Sequence, residues 1–174
     1  MQTRLFLLTL TLVSTTAVAQ PPREVVEACV RTDSVRSAAR YTDIPAHHFS
    51  ETQEDGTDYV TTTIRYEKEE IGIWERPTAR QSGLVYNGRE VSLDDVTRLS
   101  GERPEPFNPY LAMWGIVKSG ARAYVCITFN FDGLGRSGSF QSVRGVYLFE
   151  RHARRFRPFY TVGRVTPAGV VLAR

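Results

Sequence analysis

Three groups of residues carry recognisable chemistry. Gly133-Leu134-Gly135-Arg136-Ser137-Gly138 matches G-x-G-x-x-G, the spacing with which a glycine-rich turn brings backbone against a pyrophosphate at a helix N-terminus. Arg151, Arg154, Arg155 and Arg157 form a dense run of guanidinium groups interleaved with His152, Phe156 and Phe159, suited to phosphate, carboxylate or an acidic protein. Cys29 and Cys126 offer a disulfide or, left free, a thiol nucleophile.

The glycine motif fails as a dinucleotide site. That chemistry needs a strand before the motif, a helix after it and a carboxylate about 20 residues further on. Here strand-forming residues lie on both sides, and Glu150 is the last acidic residue of the chain. Residues 132–139 are expected instead to be a hairpin loop whose glycines are free to take positive φ. Asp132, Leu134, Arg136 and Ser137 make it a candidate partner-binding finger, with a solvated loop tip as the plain alternative. Asn130 and Asp132 begin like a calcium loop but lack the bidentate Glu at its twelfth position. Gly135-x-Ser137-x-Ser139 misses a nucleophile elbow by its last residue.

His47 and His48 are adjacent, so they point apart on a strand or by about 100° on a helix and are poorly placed to share one metal. With Asp43 and Glu51 nearby they read as a polar solvated loop, and nothing marks a Ser-His-Asp set. No catalytic residue, metal or cofactor is expected. The reading leans away from an enzyme.

The chain opens with Arg4, an apolar run from Leu5 to Val13, and Ala17-Val18-Ala19, the three parts of a secretory signal. Residues 1–19 are therefore expected to be removed, leaving 20–174 as one exported globular domain. The apolar run is well short of the roughly 20 residues needed to span a bilayer, and no transmembrane segment is expected. Lipidation at Cys29 is set aside because Arg23, Glu24 and Glu27 separate it from the apolar run. Lys68 and Lys118 are the only lysines, an arginine preference that points to a GC-rich bacterial source and hence to the periplasm. In that oxidising compartment a Cys29–Cys126 disulfide is the expectation, worth roughly 4 to 5 kcal/mol in the chain-entropy account.

Charge is segregated along the chain. Residues 20–119 hold 12 basic and 17 acidic side chains, net −5, whereas residues 120–174 hold 9 basic and 2 acidic, net +7, and every base in the second part is arginine. Nucleic acid is disfavoured by export. Anionic envelope polymer, lipid headgroups or an envelope protein fit better, with intramolecular neutralisation of Glu67, Glu69 and Glu70 as the alternative use of the arginines.

Positioning these groups falls to a mostly β chain. Val25, Val26, Cys29 and Val30 form the stripe of a short amphipathic helix, and Asp33-Ser34 can cap a second helical turn through Arg40. Period-two alternation begins near Val60, with Gly72 a candidate bulge, and Asn87-Gly88 marks a hairpin. Ser92 and Asp95 suggest a capping box opening a helix to Leu99. Residues 102–109 read as a Pro-rich surface loop. Further strands are expected around 110–117, 124–131, 143–150 and 156–162, with a final hairpin at Pro167-Ala168-Gly169. On the strand from Tyr124, Val125, Ile127 and Phe129 share one face while Cys126 points to the other, so a bond to Cys29 would lay the helix over that second face. The fold class is α+β: an antiparallel sheet of about five to seven strands with a short N-terminal helix tied on by the disulfide. The functional expectation is a non-enzymatic periplasmic binding protein, an inhibitor or immunity factor for an envelope-acting enzyme. Its alternatives are an envelope-associated structural protein using the arginine patch on anionic polymer or lipid, and an unrecognised hydrolase.

Overall fold

Alternating side chains dominate, and the backbone follows them. The computed structural model describes residues 19–33, 38–45, 48–131 and 142–173. Within these, helix α1 (Arg23–Arg31) is followed by β1 (Arg40–Asp43), β2 (Phe49–Gln53), β3 (Val60–Tyr66), β4 (Glu69–Arg76), β5 (Gln81–Tyr86), β6 (Arg89–Ser92) and β7 (Thr97–Arg98). Strands β8 (Met113–Ser119), β9 (Arg122–Asn130), β10 (Val143–Glu150), β11 (Phe159–Thr166) and β12 (Gly169–Leu172) complete the series.

The strands form two sheets rather than the one expected. β2 to β6 make a five-stranded antiparallel meander, and β1-β8-β9-β10-β11-β12 make the larger sheet, with β7 parallel to β11. The additional strands are short and polar: β1 reads RYTD, β2 reads FSETQ and β7 only TR. Such segments carry almost no apolar alternation and are held by their neighbours' hydrogen bonds.

Both sheets contribute to one apolar cluster. Ile64, Ile71, Ile73 and Leu84 of the smaller sheet meet Trp114, Ile127, Tyr147 and Phe149 of the larger. The larger sheet is apolar on its other face too, where Val117, Cys126, Val146 and Leu148 pack against Val25, Val26, Cys29 and Val30 of α1. The layers are thus helix, large sheet, small sheet.

Several bonds seat the helix. Cys29 and Cys126 form the disulfide across 97 residues, with Cα atoms 5.6 Å apart. The Thr128 hydroxyl donates to the Cys29 carbonyl at 2.8 Å. Arg144 of β10 donates to the Val30 and Arg31 carbonyls at 2.7 and 2.9 Å, satisfying acceptors that a helix C-terminus leaves open. Burial lowers the Arg144 pKa. Counted from Met1 the helix is internal rather than N-terminal, beginning at residue 23.

Other local expectations change. Arg40 opens β1 instead of ending a second helical turn, and residues 34–37 lie outside the described residues. Ser92 does cap, accepting from the Asp94 amide at 3.3 Å, but only a single 3-10 turn, Leu93–Asp95, follows before β7. Gly72 is no bulge. It sits in regular register opposite Thr63, and the Thr62 carbonyl oxygen together with the Thr63 backbone and methyl occupies the space a Cβ would need. The Asn87-Gly88 hairpin is present, with φ of 51° and 70°.

Candidate functional site

Where β10 ends, the arginine run is pulled in two directions. Arg151 turns inward and is only 8% exposed. Its Nε donates to Glu69 Oε2 at 2.6 Å and its Nη2 to Glu67 Oε2 at 2.8 Å, while its plane lies over the Tyr66 ring at 5.5 Å. Glu69, itself buried, also accepts from the Tyr86 hydroxyl and lies 3.3 Å from His152 Nδ1. The hydrogen bond from Arg151 depresses the Glu67 pKa. Burial opposes the Arg151 charge, but the bonds to Glu67 and Glu69 outweigh it and raise its pKa. Burial, then the Glu69 carboxylate, raises the Tyr86 phenol.

This buried pairing anchors the β10–β11 loop to the smaller sheet. His152, in the left-handed region at φ 59°, turns the backbone, and its amide donates to the Tyr86 oxygen at 3.3 Å. Phe156 points inward, with its ring centroid 4.9 Å from Phe149 and 5.7 Å from Tyr86. Held at Arg151 and Phe156, the loop presents Arg154 and Arg155 to solvent, with Arg157 half-buried. Arg89, at the start of β6, reaches the same loop and donates to the Ala153 and Arg154 carbonyls at 3.4 and 3.3 Å. Among the described residues no carboxylate lies within 4.0 Å of Arg89, Arg154, Arg155 or Arg157. Guanidinium groups gathered without a counter-charge are suited to holding an external anion.

The four arginines expected as one patch therefore divide. Arg151 neutralises Glu67 and Glu69, the intramolecular use foreseen for them all, and Arg154, Arg155 and Arg157 remain at the surface. Arg89 was missed because it enters from a hairpin 65 residues earlier than Arg154, and only the pairing of Glu69 with Arg151 across the sheets brings it there. The finger residues Asp132, Leu134, Arg136 and Ser137 lie outside the described residues, as does His47. Neither cysteine is free, which removes the thiol nucleophile. Among the described residues no three His, Cys, Asp or Glu side chains come together as metal ligands, and no helix is long and apolar enough to cross a membrane.

A second surface lies at the other end of the sheets. The Pro-rich segment 102–111 does more than cover the surface, because Phe107 inserts between the sheets and stacks on Phe129 with centroids 5.0 Å apart. Trp114 Nε1 donates to the Pro109 carbonyl at 3.1 Å and the Tyr147 hydroxyl to the Glu105 carbonyl at 2.6 Å, fastening the arch at both ends. Its crest exposes Tyr110 and Leu111 by 53% and 58%. On one flank is a cleft of about 280 Å³ bordered by Leu111, Phe129 and Phe131. On the other is a cleft of about 500 Å³ bordered by Tyr110, Glu51, Glu75 and Thr62. No family model matches this chain, and no curated protein or solved structure matches it either.

Proposed function

We propose that this protein is an exported, non-enzymatic binding protein that attaches to anionic material of the bacterial envelope, polymer or phospholipid headgroups, through the β10–β11 arginine loop. The observation that carries this reading is the convergence of Arg89, Arg154 and Arg155 on one anchored loop with no described carboxylate within 4.0 Å. Anchoring supports it further, since a loop already fixed by Arg151 and Phe156 loses little conformational freedom on binding. The inhibitor or immunity role rests on the finger at 132–139, outside the described residues, and takes second place.

Co-sedimentation with phosphatidylglycerol vesicles, with phosphatidylcholine vesicles as control, tests the attachment. Soluble heparin as competitor distinguishes a general polyanion site from one confined to a lipid surface. Each arginine near an anionic membrane contributes about 1 kcal/mol, so Arg154→Ala with Arg155→Ala is expected to weaken attachment by about 2 kcal/mol, roughly 30-fold.

A further inference from the structure

The arginine loop and a pair of carboxylates without a basic partner lie at opposite ends of one strand. β3 runs from Val60, paired with Glu75, to Tyr66, paired with Glu69, a length of about 20 Å. The arginine loop sits at the Tyr66 end, where Arg151 grips Glu69. At the Val60 end the larger cleft opens beside the arch, and Glu51 and Glu75 face into it from strands on either side of β3. Glu75 is half-buried, and among the described residues no basic group lies within 4.0 Å of either carboxylate. Glu51 accepts only the Tyr110 hydroxyl, at 2.9 Å, among the hydrogen bonds of the described residues. The neighbouring β2–β3 turn adds exposed Glu54 and Asp55.

We propose that this cleft receives the arginine loop of a second copy, so that copies associate head to tail. The inference rests on reading the loop as an anion binder and names a protein partner for it. A recess that combines carboxylates with aromatic and proline walls suits a guanidinium, which pairs through its edge and stacks through its face. Tyr110 at the rim, largely exposed, supplies apolar area that a purely electrostatic contact would lack. Because the two surfaces differ, the contact is heterologous, and copies can add in a row or close into a ring. Glu51 and Glu75 on one surface and Arg154 and Arg155 on the other give each copy both halves of the contact.

Sedimentation equilibrium of the mature protein at low ionic strength reads the outcome. Wild type is expected to show an average mass that climbs with concentration past twice the monomer. Glu51→Gln with Glu75→Gln keeps the loop but disables the cleft, whereas Arg154→Ala with Arg155→Ala keeps the cleft but disables the loop. Each should remain monomeric, with a thermal midpoint matching wild type. Mixed together they should form a dimer that grows no further, since only one loop and one cleft remain active. A monomeric wild type, association that survives in either variant alone, or a mixture that stays monomeric would overturn the proposal. Phosphatidylglycerol vesicles separate it from the attachment reading: the glutamine variant should still bind them. Vesicle binding without self-association would leave the envelope function standing and this inference refuted, whereas self-association with binding to neither vesicles nor heparin would do the reverse.

Discussion

Arg151 and Arg154 are three residues apart and do opposite work. Removing the Arg151 guanidinium would leave the buried Glu69 carboxylate without its cation, and breaking such a pair typically costs about 3 to 5 kcal/mol. Arg151→Ala is therefore expected to lower the denaturation midpoint strongly, and urea unfolding checks it. Arg154→Ala and Arg155→Ala touch no buried partner, so each should stay within about 0.5 kcal/mol of wild type while weakening attachment. Glu67 adds a pH signature. Its pKa is lowered in the folded state, so its contribution to stability is complete above the ordinary carboxylate range, about 4.3, and disappears as pH falls through the depressed value. Glu67→Gln should flatten that part of the stability profile in acid titrations followed by circular dichroism. Sequence indicated the arginines as a group but could not divide them, because which one is buried depends on the Glu69 side chain of a distant strand.

At the level of elements, α1 owes its place to side chains rather than to its own nine residues, too few for a stable isolated helix. Losing the disulfide through Cys29→Ser with Cys126→Ser is expected to cost about 2 to 5 kcal/mol, measured as a lower thermal midpoint that reductant no longer changes. The amphipathic stripe and the two-faced pattern of β9 were legible because apolar periods of 3.6 and 2 are strong local signals. β1, β2 and β7 were not legible, since RYTD, FSETQ and TR are held by partners rather than by their own alternation. The arch has the sequence of a surface loop for the same reason: only the tertiary ring stack of Phe107 on Phe129 makes it part of the core.

Across the whole molecule, the two apolar clusters bury three phenols, Tyr147 and Tyr160 between the sheets and Tyr41 on the helix side of the larger sheet. Burial raises the pKa of Tyr41, Tyr147 and Tyr160. In the unfolded chain these groups ionise near 10, so their neutral forms stabilise the fold fully below that pH, and the contribution fades as pH rises above it. Alkaline titration should show these three ionising together with loss of near-ultraviolet circular dichroism. The segregation of charge along the chain was visible in sequence, but the placement of Arg154 and Arg155 near one end of β3 and of Glu51 and Glu75 near the other was not, because it follows from sheet register.

Vesicle co-sedimentation over a range of ionic strength tests the attachment most directly. Wild type should bind phosphatidylglycerol but not phosphatidylcholine, lose affinity steeply as salt rises, and bind roughly 30-fold more weakly after Arg154→Ala with Arg155→Ala. Equal binding by wild type and this variant at every salt concentration, or no preference for the anionic lipid together with no binding to heparin, would contradict it.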